Sequence, residues 1–494
     1  MNKREPARRT GPAHAVPGLF LALLLTGCAV GPDFVAPAAP TAARYTPNDP
    51  TRADGGDTEA SQRMTQGAAV PAAWWRAFES PALDAVVDLS LRESPTLETA
   101  QATLAQAREA VSAARGALYP QIVIDVSAGR GKQSASGSAG VLNSSAVGPA
   151  LSYDVDAFGA TARLVEQAQA LADYQEAQWQ ASRLALASGT VQQAVQLASA
   201  IEQTRAVQDI IAADQRNLEL VRISQTAGKS AGLDVLTAES QLASDRALLP
   251  PLLQQASAAR HAIALLAGKT SADWSPPEFD FTALALPGDL PVSLPSELVR
   301  RRPDIQAAEA QLRAANAAIG IATAQLYPSI TLSASWTSAA AGSGALFSHS
   351  SSLWDVAAGL VAPVFNGGTL RARRNAAVDA YAAQLGTYRQ TVLQAFSQVA
   401  DVLHALDNDA ALLAAQRKAL DAAQATLDLT QQSFQAGQAS FLQILEAQRL
   451  YEQARLGHVR AKAQRFLDTL GLYVAMGGSA PDGSGAAARP EERS

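Results

Sequence analysis

Cysteine is nearly absent: the 494-residue chain has one, Cys28. A lone thiol cannot close an internal disulfide, and it excludes the thiolate clusters of structural zinc sites. Histidine is also sparse, with five scattered copies, His14, His261, His349, His404 and His458. Asp401 and His404 pair an acid with a histidine at i, i+3, and this spacing reads as a solvated helix face rather than half a metal site. Aromatics make up 5% of the residues, too few for a thick globular core, while Ala and Gln are plentiful and favour long, closely packed helices. No apolar run approaches the ~20 residues of a membrane-spanning helix, and the mean hydropathy is zero. The formal net charge is -6, which argues against a nucleic-acid partner. Nor is there a glycine-rich phosphate loop or a nucleophile motif. The chain is therefore not read as an enzyme, and no metal or dissociable cofactor is expected.

What is present begins at the N-terminus. Lys3, Arg4, Arg8 and Arg9 precede an apolar stretch, Val16 to Leu25, that is too short to cross a bilayer. This is a secretory signal, and residues 1–27 are expected to be removed. Their loss takes away four basic residues and one acid and moves the net charge from -6 to -9. The junction Leu25-Thr26-Gly27-Cys28 resembles the lipobox of bacterial lipoproteins, in which the cysteine is acylated and becomes the new N-terminus. Ala29 rather than Asp follows it, which points to the outer membrane.

The chain is duplicated. Pro95 to Pro120 and Pro303 to Pro328 have equal spacing, and Leu97, Leu104, Val111, Leu118 and Tyr119 align with Ile305, Leu312, Ile319, Leu326 and Tyr327. Ala227-Gly228 aligns with Ala436-Gly437 farther on. The repeats cover about residues 83–285 and 286–478, preceded by an N-terminal segment, 28–82, and followed by a polar tail, 479–494, expected to be disordered.

Each repeat reads helix, strand, strand, long helix, turn, helix. The first helix begins at Pro95 or Pro303, since proline is tolerated at the first helical position, and stops before Pro120 or Pro328. The period then changes. Ile330, Leu332, Ala334 and Trp336 alternate with Thr331, Ser333 and Ser335, as Ile122, Ile124 and Val126 alternate with Asp125 and Ser127. Gly/Ser-rich loops are expected at 129–145 and 338–352, with return strands near 147–155 and 353–364, so that the barrel strands occupy about 120–155 and 328–365. Apolar-out, polar-in strands of this kind match a membrane barrel, but four cannot close one. Three copies would supply twelve. The proline-free stretches Thr161 to Thr226 and Leu370 to Ala436 hold 66 and 67 residues, or ~100 Å of helix each at 1.5 Å per residue. Each stops at a glycine, Gly228 or Gly437, and a return helix follows, giving hairpins over about 160–268 and 369–476. A kink is expected at Pro250-Pro251.

These features, with Cys28-Ala29-Val30-Gly31-Pro32-Asp33-Phe34, Trp74-Trp75-Arg76-Ala77-Phe78, Arg301-Arg302-Pro303-Asp304-Ile305 and Val364-Phe365-Asn366-Gly367-Gly368, resemble the TolC-like outer-membrane efflux family, in its NodT/OprM-type lipoprotein branch. The resemblance implies a mainly α fold with a membrane β-barrel: a homotrimer with a twelve-stranded barrel, a long α-helical barrel and an equatorial domain. It also implies an inner-membrane RND pump and a periplasmic adaptor as partners, with outer-membrane lipid around the barrel. The implied function is passive export of drugs or other small molecules. A type I secretion duct uses the same fold, and a structural coiled-coil envelope lipoprotein is the reading from a different class.

The resemblance also implies a gate at the helix-turn-helix tip, formed by Asp234, Gln443, Glu446 and Phe434. The family more often has Asp at both polar places of the second tip and Tyr where Phe434 stands. Phenylalanine cannot make the tyrosine's hydrogen bond, so the closed state is expected to be held more weakly or by packing. Gly228, Lys229 and Ser230, with Gly437, Gln438 and Ser440, resemble the small-residue tip that meets the adaptor. Arg300 to Arg302 are read as structural, paired with carboxylates such as Asp304 or Glu309.

Overall fold

A computed structural model describes residues 29–38, 40–53, 61–135, 138–341, 346–348 and 351–478. Cys28, the signal segment and the tail lie outside the described residues. In chain order the strands are β1 (Arg52–Ala53), β2 (Gln62–Gln66), β3 (Gln121–Ala135), β4 (Ser138–Val155), β5 (Asp289–Val292), β6 (Ser329–Ala340) and β7 (Ser352–Val361). The α-helices are α1 (Pro81–Glu93), α2 (Pro95–Gly116), α3 (Ala160–Thr226), α4 (Gly232–Leu266), α5 (Pro295–Arg301), α6 (Pro303–Ala324), α7 (Thr369–Gln435) and α8 (Phe441–Ala475). A 3-10 helix covers Trp74–Phe78. The duplication is visible in the lengths: α2 and α6 have 22 residues each, α3 and α7 have 67, and α4 and α8 have 35. None of the described helices is long and apolar enough to cross a membrane.

Two compact units emerge, each assembled from separate stretches of chain. The first contains the described residues of 1–36 together with 105–174 and 309–387. Its sheet is antiparallel throughout, in the order β3-β4-β6-β7. Directly opposed residues share a face, so the register assigns the faces. Ile122 opposes Leu151, Val126 opposes Val147, Tyr153 opposes Leu332, and Trp336 opposes Trp354, with Ala334 against Val356 and Ile330 against Leu360. One face is apolar across all four strands. The other carries Asp125, Asp154, Thr331, Ser333, Ser335 and Asp355, with Thr331 Oγ1 donating to Asp154 at 2.7 Å. Ile122, Ile124, Val126, Trp336, Trp354, Val356 and Leu360 are each between 62% and 77% exposed, so the single chain leaves the apolar face uncovered. Among the described residues, strands β3 and β7 each have one unpaired edge.

The Gly/Ser-rich stretch 129–145 differs from its expected loop: β3 and β4 run through most of it, paired residue for residue from Gln121↔Ser152 to Ala135↔Ser138. Its small residues follow the pleat as readily as they fill a loop, and the pairing begun by the apolar stretch carries them on. Helix α4 carries Pro250 and Pro251 in its interior, and it is assigned as one element from Gly232 to Leu266.

In the same unit the segment after Cys28 is pinned. Val30 N–H donates to the Phe158 carbonyl at 3.1 Å, and Asn316 Nδ2 donates to the Pro32 carbonyl at 2.9 Å. Gly31, at φ 101°, lies so close to Gly320 that an added Cβ would meet the Gly320 Cα at 2.6 Å, and only glycine fits. The buried Arg163 pairs with Asp33 at 2.8 Å and Glu166 at 2.7 Å.

The second unit contains residues 37–104, 175–308 and the described part of 388–494. A small sheet pairs β2 antiparallel with β1 and parallel with β5. Its core is aromatic: Trp74 stacks on Tyr473 at 5.4 Å, and Phe466 stacks on both Phe78 and Phe281. Arg302 is structural here, as expected. It bonds Asp304 at 2.7 Å, the Ala475 carbonyl at 2.9 Å and Gln398 at 2.8 Å. Arg301 pairs with Glu297 at 3.5 Å.

Candidate functional site

The tips of the two long hairpins lie in the second unit and are built alike. At the end of α3, Gly228 has φ 73°, Gly228 N–H donates to the Gln225 carbonyl at 2.9 Å, and Lys229 N–H donates to the Ser224 carbonyl at 2.8 Å. At the end of α7, Gly437 has φ 76°, and Gly437 and Gln438 donate to the Phe434 and Ser433 carbonyls at 2.9 and 2.8 Å. These are glycine-terminated helix ends in which left-handed backbone lets the turn recover carbonyls the helix leaves free. Gly228, Lys229, Gly437, Gln438 and Ser440 are exposed, and Ser230 is half-buried.

The return helices open on a second matched device. Asp234 Oδ2 accepts from the Ala231 N–H at 2.9 Å, and Gln443 Oε1 accepts from the Ser440 N–H at 2.7 Å. Both residues stand at the third helical position and reach back to the residue that caps the helix. Sequence reasoning assigned Asp234 and Gln443 to the gate alone and missed this capping role, although their position three residues after the cap was legible.

Glu446 is exposed one turn farther along α8, and Arg449 grips its carboxylate at 2.7 and 3.1 Å. The Arg449 hydrogen bond holds the Glu446 carboxyl below its usual range. Arg449 was not singled out from sequence, but its i, i+3 spacing from Glu446 was the available signal. Phe434 is half-buried and packs on Phe441 at 6.4 Å between ring centroids. Both belong to an apolar cluster with Leu218, Val221, Ala238, Leu242 and Leu445 that draws on α3, α4, α7 and α8. Each large apolar side chain buried there contributes ~1.5–3 kcal/mol. Ion pairs flank it: Arg222 with Glu239 at 2.6 Å between α3 and α4, and Arg455 with Asp209 at 2.7 Å between α8 and α3.

The tip gathers Asp234, Phe434, Gln443, Glu446 and the two small-residue turns into one unit of the fold. Asp401 and His404 are exposed on α7, and no group of His, Cys, Asp or Glu among the described residues is arranged to hold a metal.

Comparison with known proteins agrees with this architecture. The chain is 33% identical over 417 residues to the pyoverdine export outer membrane protein OpmQ of Pseudomonas aeruginosa, covering 82% of this chain and 87% of that one. It is 30% identical over 480 residues to outer membrane protein OprJ of the same organism, covering 96% and 97%. The solved outer-membrane channel OprN superposes with a TM-score of 0.82 at 27% identity, over 92% of this chain and 99% of that one. The family model for outer membrane efflux proteins matches twice, at residues 86–269 and 294–478, one match for each repeat. Built from two copies of that family's unit, the chain belongs to the outer membrane efflux proteins.

Proposed function

We propose that this protein is the outer-membrane channel of a tripartite RND-type efflux pump, through which drugs or other small molecules leave passively. The observation that carries this reading is the β3-β4-β6-β7 sheet, apolar across one face and polar across the other, with an unpaired edge at each side. A large uncovered apolar face suits lipid, and unpaired edges in a bilayer have to be closed by further strands. Three copies joined edge to edge make a twelve-stranded barrel with the polar face around water. Acylation of Cys28 anchors the mature N-terminus, and the pinned Ala29–Asp33 segment fits a fixed point of attachment.

In this reading the hairpin tips form the periplasmic gate, with Asp234, Gln443, Glu446 and Phe434 around the aperture. The turns at Gly228 to Ser230 and Gly437 to Ser440 meet a periplasmic adaptor. Chemical cross-linking in cells followed by affinity purification tests the assignment. Wild-type protein should bring an adaptor and an RND pump with it. Gly437→Val, strained at φ 76°, should lose the adaptor while the trimer stays in the outer membrane. Recovery of neither partner by the wild type contradicts the reading, as does undiminished capture by the variant.

A further inference from the structure

Below the apolar tip cluster three carboxylates meet inside the protein: Asp214 from α3, Asp245 from α4 and Glu452 from α8. They are 4%, 2% and 7% exposed. Asp245 lies close enough to act on both Asp214 and Glu452, acid against acid. Asp245 receives Gln241 Nε2 on its two oxygens at 3.0 and 3.1 Å. Among the described residues no N–H or O–H donor reaches either oxygen of Asp214, although both are buried. Buried carboxylates without donors repel one another and lose hydration when ionised, so packing of this kind favours a cluster that retains protons.

The basic residues nearby are engaged elsewhere or face outward. Arg455 is held by Asp209, Arg222 by Glu239 and Arg449 by Glu446, while Arg216 and Arg246 are exposed. The groups acting on Asp214 are Asp245 and Glu452, and the group acting on Glu452 is Asp245. Leu218, one turn beyond Asp214, and Leu242, three residues before Asp245, belong to the apolar cluster that closes the tip side.

We propose that Asp214, Asp245 and Glu452 form a proton-binding latch that fastens α8 of the second hairpin to α3 and α4 of the first. The hairpins are held together while the cluster carries its protons and loosen when it loses them. Burial, and then the neighbouring acids, push Asp214 up to about 8 and Glu452 up to about 7. The packed state therefore binds more protons than a parted state in which these acids meet water. Its advantage is complete on the acid side, where both states are protonated. It declines as pH rises from the ordinary carboxylate range, about 4, through the raised values near 7 and 8. Three helices from two hairpins meet at this point, so the device links proton uptake to the spacing of the hairpins. Its consequence for conduction rests on the channel function proposed above, whereas the latch does not.

Amide hydrogen exchange on the full-length protein in lipid nanodiscs tests it, with rates corrected for the intrinsic effect of pH. Protection of α3, α4 and α8 around residues 214, 245 and 452 should fall by about tenfold or more between about pH 5 and pH 8. Asp214→Asn combined with Glu452→Gln, a neutral mimic of the protonated cluster, should keep the acid-side protection throughout. Flat protection in the wild type overturns the proposal, and so does a wild-type fall in the double variant. Should that variant fail to fold, infrared spectroscopy of the wild type decides: a protonated carboxyl band present near neutral pH and lost in alkali supports the latch, and no such band at neutral pH overturns it. Pores that conduct without pH-dependent protection reject the latch alone; pH-dependent protection without conduction rejects the channel alone.

Discussion

At the scale of single residues the tip combines local duties with the proposed gate. Asp234 and Gln443 satisfy the N–H groups of Ala231 and Ser440, so a change at either disturbs a helix start as well as the charge around an aperture. Removal of such a capping contact costs about 0.5–2 kcal/mol. Glu446 is freer of structural duty, and its charge is offset by Arg449 in the same protomer. This gives a prediction with two signs. Glu446→Gln should weaken the cation preference of the reconstituted channel, and Arg449→Ala, which exposes the carboxylate, should strengthen it. Reversal potentials in a salt gradient measure both, and equal, unchanged selectivity would remove Glu446 from the gate. Phe434 has no hydroxyl for a tyrosine-like bond and instead packs on Phe441, consistent with tips held by apolar contact.

Among the elements, prolines and glycines made boundaries legible. Helices α2 and α6 begin at Pro95 and Pro303, and α3 and α7 give way to turns containing Gly228 and Gly437. Alternation also located β3, β6 and β7. It could not show that β3 and β4 continue through the Gly/Ser-rich stretch, because small residues carry little period and the pairing is set by the partner strand. The β1-β2-β5 sheet escaped notice for a related reason: β1 has two residues and β5 joins from 223 residues beyond β2. The acids Asp214, Asp245 and Glu452 were equally hidden. Each looks like an ordinary polar residue of a solvated helix until three distant helices bring them together. The sheet carries its own prediction. Ile124→Lys places a charge on the apolar face and should cost up to about 2–4 kcal/mol at bilayer depth, falling toward the interfaces. Denaturant titration of the reconstituted protein checks this, with Asp125→Asn on the opposite face as the comparison. Equal destabilisation by the two changes would contradict a lipid-facing assignment for Ile124.

For the whole molecule, family membership rests on two matches of the same unit and on similarity that spans nearly the full chain. The trimer, the barrel and the water-filled path are the proposal built on that base, and all three meet in one observable. The measurement that tests them most directly is single-channel recording from purified, mass-verified trimers in a planar bilayer. The account predicts discrete, ohmic conductance steps, one pore per trimer, that increase when the tip is loosened by Phe434→Ala. Trimers that insert without conducting, or a protein that remains monomeric in lipid, would contradict it.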